Sequence, residues 1–261
     1  MYAASAAPAD KAMLVLEAMG IQEAPALHLD DITANQDIRV KRQPLPNDSR
    51  FSGALLFRGE KRGILINTHI DNPGHNNFTL AHELGHHFLE HMPTLYSDGR
   101  NGFLCDSNDL DDAKSVRKQE VEANIFAREL LMPEQMFRII MAGSVLDFTL
   151  ISGLAIHFLV SKHASAFRIL DFIREPYIVI LSQGLTITSV KCSAAARRFR
   201  INDSTIPPET MAYRIITESV WQTGFTQTDT RRWLQSATTS VQLYECTRGT
   251  GEVAMTILKL Q

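Results

Sequence analysis

FTLAHELGHHFLEH, residues 78–91, carries the strongest signal in the sequence. Its composition favours a helix, and on a helix His82 and His86 lie on one face with their Cβ atoms about 5–6 Å apart. Two imidazoles at that spacing can bind one tetrahedral metal ion through bonds of roughly 2.0–2.1 Å. Glu83 lies about 100° further round the helix, where it can act as general base toward a water at the metal rather than as a ligand. The stretch therefore predicts a metal site.

The surroundings of the motif separate its two histidines from two others. Leu80, Leu84 and Phe88 give the helix enough apolar surface to be buried, which argues against a chance match on an exposed helix. His87 follows a predicted ligand and points elsewhere, so we expect a partly exposed side chain or a partner behind the ligands. His91 would add a third histidine, but zincins with a third histidine ligand use a longer spacing and a glycine bend. We therefore expect that His91 is not a ligand.

A catalytic zinc usually keeps three protein ligands and one open position, so a third ligand is needed. QEVEANIFARELLMP, residues 119–133, is predicted to form a second helix that ends at Pro133. Its Glu120 shares a small and apolar stripe with Ala123, and that stripe can approach another helix closely. Glu122 lies on a different side of this helix. Glu120 is therefore the favoured third ligand and Glu122 its competitor, the alternative being that both are solvated charges.

Composition indicates a globular protein with more than one domain. The chain has 261 residues, of which 44% are hydrophobic and 21% charged, and its formal net charge is -3. A chain of this length can bury a core without disulfides, and it has no overall basic excess for nucleic-acid binding. Cys105, Cys192 and Cys246 include no CxxC pair, so we expect neither a disulfide framework nor a cysteine zinc site. Without a signal peptide or an apolar stretch near the ~20 residues of a membrane helix, the expected localisation is cytoplasmic, with no membrane partner.

Residues 145–170 have the pattern of a helix-turn-helix. In this interpretation Leu154, Ala155 and Phe158 form the inner face of the first helix, and Ser161 caps the second helix. The side chains then available for contacts with DNA are a modest set: Lys162, His163, Ser165 and Arg168. Direct DNA binding is therefore possible but not favoured, and a helical packing unit or a protein-docking unit is the preferred interpretation.

The two motif helices together resemble a known family. FTLAHELGHHFL, followed by E-x-E-A-N-x-F-A-x-x-L-L-M-P at residues 120–133, is similar to the ImmA/IrrE metallopeptidases. This resemblance implies that zinc is bound by His82, His86 and Glu120, with Glu83 as the catalytic base. It covers roughly residues 11–135. Because two imidazoles and a carboxylate accept several metals, Mn²⁺ is possible as well as Zn²⁺.

The predicted fold class is α+β with three domains. Residues 1–135, which include a predicted strand hairpin ahead of the motif helix, would form a zincin-like metallopeptidase domain. Residues 97–118 within it are polar and rich in glycine, asparagine and aspartate, and are predicted to be a long exposed loop. Residues 136–175 would form the helix-turn-helix domain. Residues 176–261, with predicted strands around a helix, would form a small α+β sensor domain.

This order of domains resembles the radiation-response regulators of the IrrE type, in which the last domain is GAF-like. What the resemblance implies is a regulatory zinc metalloendopeptidase that cleaves a transcriptional repressor, itself expected to be a helix-turn-helix protein, and so induces a DNA-damage response. A small-molecule signal would act at the last domain, where Tyr177, Trp221 and Tyr244 are candidate pocket residues, although aromatic residues are more often part of a core. The alternative is a DNA-binding transcription regulator with a structural or vestigial metal site.

Cys105 allows one further hypothesis, because it lies between the two predicted ligand-bearing helices. Its thiolate could reach the zinc as a redox-sensitive fourth ligand. The favoured alternative is an exposed thiol without a role.

Overall fold

The computed structural model describes most of the chain, namely residues 7–46, 50–96, 99, 101–106, 109–110, 117–235, 241–250 and 252–261. The chain divides into two compact units. The first unit holds Met1–Ala142 and Ser152–Ser165, and the second holds Gly143–Ile151 and Ala166–Gln261. Both units mix helices and strands, as the predicted α+β class requires. Residues 136–175 are shared between the two units, and the three-domain division of the chain stays a prediction.

The first unit contains helices α1 to α5 and one five-stranded sheet. The helices are α1 (Pro8–Met19), α2 (Leu29–Asn35), α3 (Pro73–Phe88), α4 (Lys118–Leu131) and α5 (Glu134–Met141), with a 3-10 turn at Pro25–His28. The strands are β1 (Ile38–Gln43), β2 (Phe51–Arg58), β3 (Lys61–Asn67), β4 (Thr94–Leu95) and β5 (Asn101–Asp106). Their order in the sheet is β1-β3-β2-β5-β4. β1 and β3 are parallel, and the other neighbours are antiparallel.

The predicted hairpin is present as β2 and β3. Arg58 pairs with Lys61 across a two-residue turn, and Gly59 adopts a left-handed conformation there, with φ +61. β2 lies directly against α3, because a Cβ atom added to Gly53 would come within 2.6 Å of the Thr79 side chain. The hairpin therefore supports the helix that carries the metal motif.

The predicted exposed loop at residues 97–118 is wrong for Asn101–Asp106. These residues form β5, which pairs with β2 on one side and with β4 on the other. Phe103 and Cys105 are buried. The strand escaped prediction because its apolar run is short and is surrounded by glycine, asparagine and aspartate. Much of the rest of the predicted loop lies outside the described residues.

Helix α3 starts earlier and ends earlier than predicted. It begins at Pro73 rather than at Phe78, because the Asn72 side chain caps it by accepting a hydrogen bond of 3.1 Å from the amide of His75, with proline at the first helical position. It ends at Phe88, and the chain then turns through Glu90, which has φ +54.

The contact between α3 and α4 is made by small residues. A Cβ atom added to Gly85 would lie 3.0 Å from the Cα atom and 3.1 Å from the carbonyl oxygen of Ala123. Ala123 and Ala127 are fully buried. The predicted small stripe of the second helix therefore does face the motif helix, and it allows the two backbones to approach closely.

The second unit contains one antiparallel five-stranded sheet, in the order β7-β6-β10-β9-β8. Its strands are β6 (Tyr177–Gln183), β7 (Thr186–Cys192), β8 (Thr226–Thr228), β9 (Leu243–Gly249) and β10 (Val253–Leu260). Its own helices are α8 (Met211–Glu218) and α9 (Thr230–Trp233), with a 3-10 turn at Ala194–Ala196. Trp233 is fully buried in its core and donates a hydrogen bond of 3.0 Å to Oε2 of Glu245. The four longer strands and α8 match the predicted pattern, whereas β8 and α9 were not predicted.

The predicted helix-turn-helix corresponds to α6 (Phe148–Phe158) and α7 (Lys162–Phe172). The inner face of the first helix is buried as predicted, and Ser161 caps the second by accepting a hydrogen bond of 3.1 Å from the amide of Ala164. However, Ser165 and Arg168 are buried, so these two side chains are not available as exposed DNA contacts.

Among the described residues no single helix is long and apolar enough to cross a membrane. Helices α6 and α7 pass this test of length and hydropathy only as a pair that is bent by 109°.

We expect Gly85→Ala to lower the free energy of unfolding of the metal-free protein by about 1–3 kcal/mol, because the added methyl group overpacks the contact with Ala123. Urea-induced unfolding measures the change. The matched control is Gly153→Ala in α6, where the added Cβ atom meets nothing within 4 Å. The control should gain up to about 1 kcal/mol from helix propensity alone. Equal stabilisation by both substitutions would show that the approach of α3 and α4 is not limited by this glycine.

Candidate metal centre

His82, His86 and Glu120 meet in one buried group. Oε2 of Glu120 lies 3.1 Å from Nε2 of His82 and 3.2 Å from Nε2 of His86, and the two Nε2 atoms are 3.1 Å apart. Ligands of a tetrahedral zinc with bonds of roughly 2.0–2.1 Å are about 3.3 Å apart. The three atoms therefore have nearly the spacing of one face of such a tetrahedron. Within the described part of the chain, no other group of three histidine, cysteine, aspartate or glutamate ligand atoms comes together in this way.

The charges in this group suit a divalent metal. Burial lowers the pKa of His86 to about 4, so its imidazole is neutral at physiological pH. Burial opposes ionisation of Glu120, but hydrogen bonds with His82 and His86 outweigh it and hold the pKa of this carboxyl below its usual range. Two imidazoles and one carboxylate are a donor set that zinc accepts, and that other divalent metals accept as well.

Glu83 is fully buried, yet among the described residues neither of its carboxyl oxygens has a hydrogen-bond partner. Burial raises its pKa well above the usual value and the charge of Glu120 raises it further, while the backbone of Leu55, close to the carboxyl group but without the geometry of a hydrogen bond, opposes the shift. An unpartnered buried carboxyl group costs stability. A cation with its water beside Glu83 would satisfy this group, which is a second reason to place a metal here.

The position of His82 is supported from behind by Asn124. Nδ1 of His82 lies 2.8 Å from Oδ1 of Asn124, whose Nδ2 donates to the carbonyl oxygen of Asp109 at 2.7 Å. The bond to Asp109 fixes the orientation of the amide, so its oxygen must accept a proton from Nδ1 of His82. Nε2 of His82 is then free to bind a metal. Asn124 was not predicted, although its place one helical turn after Glu120 was a usable signal.

Glu122, the predicted competitor of Glu120, does not belong to the ligand group. Its Oε2 lies 3.3 Å from Nε2 of His91, and its Oε1 lies 3.5 Å from Nζ of Lys118. His91 is also outside the group, and its Nδ1 lies 2.9 Å from Nδ1 of His86. His87 is directed elsewhere, with Nε2 at 3.2 Å from Oε1 of Gln36. These positions agree with Glu120 as the third ligand.

The hypothesis that Cys105 is a fourth ligand finds no support in the structure. The residue lies outside the group of potential ligand atoms. Its thiol is also buried rather than exposed, so the favoured alternative was wrong about exposure, and Sγ donates to the carbonyl oxygen of Asp106 at 3.5 Å. Burial raises the pKa of the thiol well above its usual value, and the charge of Glu83 adds to the effect. A thiolate ligand is therefore disfavoured.

The three candidate pocket residues of the second unit have unlike surroundings. Tyr177 is buried. Trp221 is 77% exposed, and the guanidinium carbon of Arg248 lies 4.7 Å from the centroid of its ring. The hydroxyl group of Tyr244 donates to Oε1 of Gln242 at 3.0 Å. A ligand pocket formed by these residues stays a prediction.

The first unit thus has a small sheet beside two helices, and these helices together supply two histidines and one glutamate. This is a donor set found in catalytic zinc sites. The model of a peptidase family described as the IrrE N-terminal-like domain matches residues 34–170, more than half of the chain. The chain therefore belongs to this family, as its motifs predicted. The matched region runs from the end of α2 into α7.

Among solved structures, a Mycobacterium tuberculosis transcriptional regulator has a similar fold, with a TM-score of 0.59 and 15% sequence identity. The match covers 96% of this chain and 75% of the other. No curated protein matches the sequence. These comparisons support membership of the ImmA/IrrE family, and the closer likeness to radiation-response regulators stays a prediction.

We expect Glu120→Gln to weaken zinc binding by more than about 100-fold. Losing a residue that only hydrogen-bonds a metal ligand typically costs roughly 10- to 100-fold in affinity. Glu122→Gln should weaken binding by no more than that smaller range. Competition with a chromophoric chelator measures both affinities. Both variants carry the same change from glutamate to glutamine on α4, so each is a matched control for the other. If Glu122→Gln were the more damaging of the two, the ligand assignment would have to be reversed.

Proposed function

We propose that the protein is a regulatory zinc-dependent endopeptidase. The observation that carries the proposal is the buried group of His82, His86 and Glu120. On the same helix as the two histidines lies the carboxyl group of Glu83, which has no hydrogen-bond partner in the described part of the chain. In such a site zinc would polarise the scissile carbonyl group and make water acidic. His82, His86 and Glu120 would hold the metal.

In this mechanism Glu83 is the group that moves protons. One of its carboxyl oxygens takes a proton from the attacking water and then gives it to the nitrogen of the departing amine. Burial raises the pKa of Glu83, which favours its uptake of the proton from water. No other acid or base is needed for the transfer.

The proposed substrate is a helix-turn-helix transcriptional repressor, whose cleavage would induce a DNA-damage or radiation response. Support for it comes from membership of the IrrE N-terminal-like family and from the predicted order of domains. The proposed metal is zinc, with Mn²⁺ as the second candidate. Incubation of the full chain with a purified repressor encoded nearby, with and without a chelator, tests the substrate.

We expect Glu83→Gln to lower the cleavage rate by about 10²- to 10⁴-fold, the usual contribution of a general acid or base, while zinc content stays at the wild-type level. The amide keeps the shape of the carboxyl group but cannot take up the proton. Glu60→Gln, the same change in the exposed turn between β2 and β3, is the matched control and should retain full activity. Undiminished proteolysis by Glu83→Gln would refute the mechanism.

A second candidate function is DNA binding with a structural or vestigial metal site. Two observations favour it: α6 and α7 meet at 109°, an angle usual for helix-turn-helix motifs, and the structural neighbour is described as a transcriptional regulator. The burial of Ser165 and Arg168 and the net charge of -3 oppose it.

We expect the full chain to show no preference for promoter DNA over random DNA at physiological salt, since few exposed cations lie on α7. Gel-shift titrations with both DNAs measure the preference. The weak binding by Lys162→Gln should also be independent of the DNA sequence. A promoter preference that Lys162→Gln abolishes would favour DNA binding over the first proposal.

We also propose that the second unit is a GAF-like sensor that responds to a small-molecule signal. Its antiparallel sheet with flanking helices supports this proposal. A ligand of this unit should raise the melting temperature of the full chain whether or not metal is bound. If the effect of every stabilising ligand requires metal, binding occurs at the metal centre and the sensor proposal fails.

A further inference from the structure

Two side chains next to the metal centre have no part in the proposed reaction. Nε2 of His86 faces Glu120, while its Nδ1, on the other side of the ring, lies 2.9 Å from Nδ1 of His91. Nε2 of His91 lies 3.3 Å from Oε2 of Glu122, close enough for an electrostatic interaction although the contact does not have the geometry of a hydrogen bond. The structure thus contains a continuous series of polar atoms from the candidate ligand His86 through His91 to a carboxylate.

The positions of protons along this series are restricted by chemistry. An imidazole that binds a metal through Nε2 holds its proton on Nδ1. His86 must then donate from Nδ1, and His91 must accept at its own Nδ1. An imidazole that accepts at Nδ1 holds its proton on Nε2, and there His91 faces the carboxylate of Glu122, which can only accept.

The opposite arrangement is unfavourable at both ends. If His91 held its proton on Nδ1, its Nε2 lone pair would face the lone pairs of Glu122. His86 would then accept at Nδ1 and hold its proton on Nε2, which cannot bind a metal in that form. We propose that His91 and Glu122 are positioning residues that hold His86 in its metal-binding tautomer, with Glu122 acting through His91. The proposal rests on the metal centre of the proposed function but not on its peptidase activity.

The backbone fixes His91 in this place. After α3 the amide of His91 donates to the carbonyl oxygen of His86 at 3.1 Å, and the amide of Glu90 donates to that of His87 at 3.2 Å. With Glu90 at φ +54, these two bonds form a Schellman motif, which returns the chain onto the last helical turn. The ring of Phe103 stacks on His86 at 4.0 Å between centroids, so His86 is held on its face as well as at its edge.

Glu122 is suited to set the tautomer because its two oxygens have separate partners. Oε2 faces His91, and Oε1 lies 3.5 Å from Nζ of Lys118 at the surface. The side chain of His91 is 6% exposed and that of Glu122 is 29% exposed. Water therefore has little access to His91, and the carboxylate of Glu122 is the electrostatic partner of its Nε2 on that side.

The decisive experiment is a double-mutant cycle on zinc affinity, measured by chelator competition with the full chain. In the wild-type background, Glu122→Ala should weaken zinc binding by about 10- to 100-fold. In a His91→Asn background it should have almost no effect, because the Asn Oδ1 occupies roughly the place of the His Nδ1 and accepts without help from Glu122. Glu17→Ala, the same change at an exposed position of α1, is the control and should leave affinity unchanged.

A second readout separates positioning from general structural support. Histidine ring ¹⁵N NMR spectra of the zinc-loaded wild type should show a proton on Nδ1 of His86 and on Nε2 of His91. His91→Phe, which keeps a ring of similar size, should lose about 10- to 100-fold in affinity, and His91→Asn should recover most of that loss. The melting temperatures of the metal-free variants check that each one is folded.

The outcomes distinguish this proposal from the proposed function. Equal losses for Glu122→Ala in the two backgrounds, or a proton on Nδ1 of His91, would overturn the positioning role while leaving the peptidase intact. Zinc binding with the expected cycle but without any proteolysis would sustain the positioning role and remove the peptidase. A wild-type chain that binds no zinc would overturn both.

Discussion

The close approach of α3 and α4 is the constraint on which the rest of the site depends. Three ligand atoms from two helices can share one metal only if they come within about 3.3 Å of one another, and Glu120 has a short side chain. Gly85 makes this approach possible because it offers no Cβ atom toward Ala123. The same helical register that brings Glu120 to the two histidines brings Asn124 behind His82, one turn further along α4. The contact between Gly85 and Ala123 therefore places both Glu120, the candidate ligand, and Asn124, which supports His82.

The electrostatics of the site follow from its burial. In a low-dielectric interior an unpaired polar group is costly, so buried polar groups in folded proteins have partners. His82, His86 and Glu120 satisfy this rule through one another and through Asn124 and His91. Glu83 does not. Both oxygens of Glu83 break the rule beside three candidate ligands that keep it, which is why Glu83 supports a metal and water more directly than its motif alone.

The sequence was sufficient to predict the group of His82, His86 and Glu120 because its signals are local. The spacing of His82 and His86 depends only on helical geometry, and the choice of Glu120 over Glu122 depends only on which face of a helix is small and apolar. β5 could not be predicted in the same way, because its strand character depends on pairing with β2, distant in sequence. His91 was placed on the motif helix by its apolar pattern, whereas a left-handed Glu90 ends that helix before it. The sharing of residues 136–175 between two units also depends on tertiary packing rather than on local pattern.

The two imidazole ligands are supported by partners of different kinds. An amide oxygen can only accept, so Asn124 fixes the tautomer of His82 by itself once Asp109 has fixed the amide. An imidazole can either donate or accept at Nδ1, so His91 alone leaves the tautomer of His86 undecided. The carboxylate of Glu122 removes that freedom. The second glutamate of the E-x-E pattern therefore has a physical reason to be acidic that differs from the reason for the first. Glu120 is the proposed metal ligand, whereas Glu122 is proposed to act on the metal site through His91, a role that the helix faces of α4 alone do not reveal.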